Sequence, residues 1–158
     1  MDPKLKYSEN YYVRTLLNKV KIKEVMSPKV ICVSEDALMS DVEKKIRDSS
    51  IRHLPVVDGN NRLTGLITQR DLYRLQSPRQ NENGEWYYDA EAINNYILKH
   101  VMTKNPYVLG AESSIGEALL AMADRKYGCI PIVDRDGKLC GIITQTDILK
   151  IAARIIRE

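Results

Sequence analysis

The sequence predicts an α+β fold built from one mixed unit written twice, and three observations predict it. GLITQRDL and GIITQTDI repeat one phrase at a spacing of 76 positions (141 − 65), and the same shift lays Val101-Met102 on Val25-Met26, Pro131 on Pro55 and Asp147 on Asp71. A register kept without insertion over about fifty residues marks a repeated supersecondary unit. Within each copy, helical and strand periodicities alternate in the same order. With 158 residues and 44% apolar content, the chain can bury one real core or two small ones that share a face.

Taken along the chain, Ser8 to Val20 carries Tyr12, Val13, Leu16, Leu17 and Val20 at helical spacing. VMSPKVICVSED then turns extended, and Ala37 to Asp48 reads as a helix with Leu38, Met39, Val42 and Ile46 inward. RHLPVVD and RLTGLIT are short strand-like runs joined by Gly59-Asn60-Asn61, a hairpin signal, and Asp71 to Leu75 opens another helix. The stretch QSPRQNENGEW, with Pro78 and Gly84, reads as an exposed loop, and Asp89 to Lys99 as a helix matching the N-terminal one. The second copy follows with the extended YVLGAESS. A helix from Ile115 to Arg125 opens with a capping box at Ser114 and Glu117; strands CIPIVD and KLCGIIT flank Asp136-Gly137, and a last helix runs from Asp147. The expected division is an N-terminal helical segment at 1–21, a first repeat at 22–75, a linker of loop and helix at 76–98, and a second repeat at 99–158.

Composition excludes several functions. The net charge of +3 comes from 24 basic and 21 acidic residues scattered along the chain, too weak a pattern to argue for nucleic acid. Cys32, Cys129 and Cys140 show no C-x-x-C spacing and read as buried, reduced thiols. No apolar run is long enough to span a bilayer and the start has no apolar signal region, so no membrane partner is expected and the cytoplasm is the default. There is no P-loop, H-E-x-x-H or G-x-S-x-G, and His53 and His100 lack a neighbouring ligand set. No catalysis, no catalytic residue and no metal are expected. The Glu35-Asp36 pair falls where a helix start is expected, which compensation of the helix dipole accounts for.

The repeated phrase carries the chemistry. Thr68 closes a strand and Asp71 stands three residues on; Thr144 and Asp147 do the same. A Thr at N-cap with an acid at N3 is a capping box that needs no ligand. The same geometry also presents a carboxylate able to accept both hydroxyls of a ribose, beside N–H groups that favour an anion. T-x-x-D is weak alone and much stronger doubled at matched positions after G-[LI]-I.

With VMSPKVICVSED, RHLPVVD and GLITQRDL in one copy and VMTKNPYVLGAES, GCIPIVD and GIITQTDI in the other, the chain resembles a tandem pair of cystathionine β-synthase (CBS) domains, the Bateman module, over about residues 22 to 156. The resemblance implies two tandem repeats of helix, strand, helix, two strands and helix, packed through their sheets about a pseudo-twofold axis, with adenosyl ligands in clefts between them. It implies a first cleft of Thr68, Asp71, Asn105, Pro106, Tyr107, Tyr127, Gly128, Cys129 and Pro131. Here Tyr127 either stacks on adenine or is a half-buried core residue. It implies a second cleft of Thr144, Asp147, Lys29, Val30, Ile31, Ile51, Arg52, His53 and Pro55. Arg52 there suits phosphate and His53 adds a charge-dependent donor, against the plainer reading of a solvated Arg and a packed His. Arg70 and Lys104 are expected from the resemblance as further phosphate contacts. Thr146, matching Arg70, offers no charge, which argues against equal ligands in the two clefts.

The function so implied is that of a stand-alone regulatory module. Its effector would be an adenine nucleotide or related adenosyl compound (AMP, ADP, ATP, S-adenosylmethionine or a cyclic dinucleotide), with no catalytic cofactor and an unidentified effector protein as partner. Two rivals belong to other classes: an interaction or dimerisation scaffold with vestigial clefts, and a nucleic-acid-binding member of the family. A homodimer is expected, because the last helix carries Ile148, Ile151, Ala152 and Ile155 on one face with Leu149 and Ile156 widening it.

Overall fold

In the computed structural model, which describes residues 11–76, 78–87 and 92–157, helices and strands alternate in the doubled order that the repeat implies. Helix α1 (Tyr11–Lys19) and a 3-10 turn (Ile22–Glu24) lead to β1 (Val33–Ser34), α2 (Met39–Asp48), β2 (His53–Val57), β3 (Leu63–Thr68) and α3 (Gln69–Leu75). A hairpin of β4 (Arg79–Gln80) and β5 (Trp86–Tyr87), a 3-10 turn (Ala92–Asn95), α4 (Leu98–Val101) and β6 (Thr103–Lys104) follow. The chain closes with β7 (Leu109–Gly110), α5 (Ile115–Arg125), β8 (Cys129–Val133), β9 (Leu139–Thr144) and α6 (Gln145–Arg157).

These elements form two compact units. One comprises residues 30–107 and 136–139, the other residues 1–29, 108–135 and 140–158. In the first, the sheet runs β1-β2-β3-β6, with β1 parallel to β2 and the other neighbours antiparallel. Met39, Val42 and Ile46, spaced three and four apart along α2, bury one stripe of that helix on Leu54, Val56 and Ile67 of the sheet. The turn between β2 and β3 is held by Asp58, whose carboxylate accepts from the N–H groups of Asn60 (2.8 Å) and Arg62 (2.9 Å) while Asn61 takes a left-handed φ of 62°. In the second unit the sheet runs β7-β8-β9, α1 packs on α5, and α5 begins with the expected Ser114–Glu117 capping box.

Each unit takes in a segment from outside its own strand-helix run. Strand β6 opens the second copy in sequence, yet it pairs with β3, Thr103 opposite Leu66 and Lys104 opposite Gly65. Its counterpart 76 positions earlier, Ser27, bridges Ile142 of β9 through N–H···O bonds of 3.0 and 3.2 Å. The methionine just before each pairing lies against a glycine: Met102 on Gly65 and Met26 on Gly141. The repeated V-M and the repeated G-[LI]-I are therefore two halves of one contact. Only a residue without a Cβ leaves room for the methionine.

Several expectations are corrected. The helix expected over 89–99 is a 3-10 turn and a one-turn helix separated at Tyr96-Ile97, residues 89–91 lying outside the described residues. Asn94 and Asn95 favour local turns over a continuous helix. The exposed loop QSPRQNENGEW is a short hairpin, because Asn81 Oδ1 accepts from the N–H of Asn83 and Glu85 and Gly84 supplies a φ of 81°. Leu38 is not inward but 68% exposed at the N-cap of α2. Glu35 and Asp36 precede that helix and hold the ammonium of Lys99, at 3.1 and 2.9 Å, rather than compensating a dipole. Of the three cysteines only Cys129 is buried; Cys32 and Cys140 are half-buried.

Candidate ligand-binding site

Strand β3 ends where Thr68, extended at φ −122° and ψ 160°, becomes the N-cap of α3. The Thr68 N–H and hydroxyl both donate to Asp71 Oδ2 (2.8 and 2.6 Å), and Asp71 N–H returns a bond to Thr68 Oγ1 (3.4 Å). The same three bonds recur at α6: Thr144 N–H and hydroxyl to Asp147 Oδ2 (2.9 and 2.7 Å), and Asp147 N–H to Thr144 Oγ1 (3.3 Å). Capping is thus present in both copies. It also fixes each carboxylate by one oxygen, Oδ2, leaving Oδ1 for another donor; at Asp71 that oxygen stands 4.0 Å from the Arg74 guanidinium. Both acids are half-buried, so each is a pinned acceptor still within reach of solvent.

The residues before β2 and β8 lie beside these acids, each within its own unit. Gln69 N–H donates to Arg52 C=O (3.0 Å), and His53 is the cross-strand partner of Thr68. In the other unit Gln145 N–H donates to Gly128 C=O (3.1 Å), and its side-chain amide donates to Tyr127 C=O (3.1 Å). Sequence reasoning passed over this glutamine, although the Gln of TQRD and TQTD is itself repeated and was the available signal. Burial, and then the Arg52 and Arg70 guanidinium groups, push the His53 imidazole below its ordinary pKa. At the matching position, burial pushes the Cys129 thiol up to about 12.

Of the residues expected in the first cleft, Thr68, Asp71, Asn105, Pro106 and Tyr107 share one unit, whereas Tyr127, Gly128, Cys129 and Pro131 belong to the other. Of the second set, Thr144, Asp147 and Lys29 share a unit, and Val30, Ile31, Ile51, Arg52, His53 and Pro55 belong to the unit of Asp71. Asn105 takes a left-handed φ of 47° as the chain leaves β6 beside Thr64. Pro55 and Pro131 are buried within β2 and β8. Arg70 and Lys104 are exposed, the first on α3 and the second on β6. A groove of about 420 Å³ lined by Val33, Ser34, Ala37, Asp41, Lys44 and Lys45, among others, includes none of the expected site residues. Among the described residues no cluster of three or more His, Cys, Asp or Glu could hold a metal, and no helix is long and apolar enough to cross a membrane.

Comparison with known proteins follows the same residues. A family model described as CBS domain matches residues 22–77 and 98–154. A CBS domain-containing protein of Dictyostelium discoideum is 31% identical over 139 residues, which cover 87% of this chain and 94% of that protein. The solved structure of CBSX2, a CBS-pair protein of Arabidopsis thaliana, in complex with AMP superposes with a TM-score of 0.71 at 26% identity, covering 86% of this chain and 98% of that one. A homoserine O-acetyltransferase of Methanosalsum zhilinae is 26% identical over 142 residues; this match takes in 90% of the chain but spans only 26% of the enzyme.

Proposed function

The chain belongs to the CBS domain family as a tandem pair, and from that premise we propose that it is a regulatory module whose effector is an adenosyl ligand, with one ribose held at Asp71 and one at Asp147. The observation that carries the reading is the doubled, pinned carboxylate, in which Thr fixes Oδ2 and leaves Oδ1 to accept vicinal hydroxyls. The AMP bound by CBSX2, 26% identical to this chain, supports the ligand class. Tyr127 supplies an aromatic face for a base, worth roughly 1–3 kcal/mol when stacked. The ligand's message passes to an effector protein that reads a shift among the module's conformations.

The experiment is calorimetric titration with AMP. Asp71→Ala and Asp147→Ala are each expected to lower the stoichiometry by one site while the protein stays folded, since Thr68 and Thr144 keep the caps and the loss is about 1 kcal/mol or less. Unchanged stoichiometry in both variants sinks the assignment. The module is also expected to pair with a second copy through α6, where no residue is buried and Leu149, Ile155 and Ile156 are 68%, 58% and 85% exposed. Light scattering that returns 18.1 kDa at micromolar concentration rules the pairing out.

A further inference from the structure

We propose that Met26 is a reversible oxidation site, through which a hydroperoxide loosens one of the two matched methionine–glycine contacts and spares the other. Of the methionines among the described residues, only Met26 is half-exposed; Met39, Met102 and Met122 are 1%, 9% and 5% exposed. A thioether is oxidised where a peroxide can reach its sulfur, so the oxidant meets Met26 first. Added bulk at that sulfur has nowhere to go. A Cβ built on Gly141 would overlap it and stand 3.1 Å from Met26 Cγ and Cε, so the side chain lies against the bare backbone of β9. Around this contact the segment is held by backbone bonds. Ile22 N–H donates to Ser113 C=O (2.9 Å), Lys23 N–H donates to Ala111 C=O (3.0 Å), and Ser27 exchanges N–H···O bonds with Ile142 (3.0 and 3.2 Å). Ser27 is exposed, so the bonds it shares with Ile142 open to solvent at low cost once the neighbouring packing is lost.

In the oxidation, the peroxide O–O bond breaks, one oxygen bonds to Met26 Sδ, and the other leaves as water or an alcohol. The sulfur gives up an electron pair and the peroxide takes it. The product is a polar, chiral sulfoxide, whose oxygen needs both room and a hydrogen-bond donor. Turning the side chain out to water supplies both and gives up the packing on Gly141. Thiol-dependent reductases remove the oxygen again, so the change is reversible. At the matched position in the other unit Met102 lies on Gly65, but it is only 9% exposed, and the pairing beside it, Thr103 opposite Leu66, belongs to the four-stranded sheet. The repeat thus makes the contact twice and leaves one copy open to oxidation.

The test exposes the full chain to hydrogen peroxide and then to excess thiol, which reverses disulfides and sulfenic acids at Cys32, Cys129 and Cys140 but leaves sulfoxides in place. Peptide mapping by mass spectrometry should find Met26 oxidised at least roughly tenfold faster than Met39, Met102 or Met122. Hydrogen exchange read residue by residue should show the Ser27 and Ile142 amides exchanging roughly tenfold faster after oxidation, while those of Thr103 and Leu66 keep their rates. The two methionine sulfoxide reductases, one for each epimer, should restore the original exchange when supplied with thiol. Met26→Leu, apolar and close in volume, should exchange at the same rate with and without peroxide. The proposal is overturned if Met26 oxidises no faster than the three buried methionines, or if Ser27 and Ile142 keep their protection once it is oxidised. It is equally overturned if the reductases leave the exchange fast, or if peroxide loosens the same amides in Met26→Leu. All but the last of these outcomes are read on the unaltered chain, so a variant that fails to fold leaves the proposal open to refutation.

Discussion

Replacing Gly65 by alanine puts a methyl group where the Met102 side chain lies. An ideal Cβ there overlaps the sulfur and comes within 3.0 Å of both Cγ and Cε. Met102 is only 9% exposed, so its thioether must move inside a packed core. Overpacking of this kind costs about 1–3 kcal/mol. Gly65 does not occupy the left-handed region, so the alanine also restricts the unfolded chain and returns about 0.4–1 kcal/mol. The net expectation is a loss of about 0–2.6 kcal/mol. Met102→Ala alone removes a buried side chain and costs about 2–5 kcal/mol. In the double variant the new methyl occupies space that the methionine vacates, so the two losses should fall short of their sum by about 0.5–3 kcal/mol. Urea midpoints at constant m-value report all three differences. Additivity within about 0.5 kcal/mol would refute the claim that the repeated methionine and glycine are one contact. The twin pair, Gly141→Ala with Met26→Ala, should couple with the same sign, with a smaller single cost at the half-exposed Met26.

Three further outcomes are expected. With its thiol pushed up to about 12 by burial, Cys129 should resist alkylation in the native protein and react only in denaturant; native labelling at neutral pH as fast as at Cys32 contradicts that burial. His53, with its folded-state pKa below the ordinary 6.5, leaves the unfolded chain binding more protons just under that value. Stability is therefore full above it and declines as pH falls through the lowered folded pKa, and His53→Gln should flatten this slope in thermal melts between pH 7.5 and 5. Lys99, whose charge is favoured by Asp36 and Glu35, should contribute to melting temperature at low salt and lose that contribution near 1 M salt. A Lys99→Met deficit independent of salt argues that the ammonium acts through packing instead.

The doubled order of elements was legible because β2, β3, β8 and β9 are short apolar runs bounded by turn residues, and because α5 announces its start with the Ser114–Glu117 capping box. The Thr68–Asp71 and Thr144–Asp147 clamps were legible for the same reason: a capping box is a local device written in four consecutive residues. What escaped is non-local. Nothing near Glu35 and Asp36 announces Lys99, which stands 63 residues after Asp36, and periodicity over 89–99 cannot weigh the turn-forming tendency of Asn94-Asn95 against the apolar spacing. Repeat arithmetic likewise aligned Val25-Met26 with Val101-Met102 without revealing that each packs on the strand run of the other copy. An internal repeat reports which residues are equivalent, not which are partners.

That pairing bears on how the chain is assembled as it is made. Strands β2, β3 and β6 lie within residues 53–104, so the first sheet can close soon after those residues leave the ribosome. The segment around Lys23 and Ser27 has no such early partner. Its ion pair with Glu112 spans 89 residues, and at a synthesis rate of about 5–20 residues per second it waits roughly 4–18 s for that partner to exist. During that interval the segment carrying Ile22 and Met26 is a free apolar arm, tethered to a sheet whose own edge is filled when β6 arrives. Capture of that arm by Ala111, Ser113 and Ile142 is then a step at which a neighbour's copy can compete.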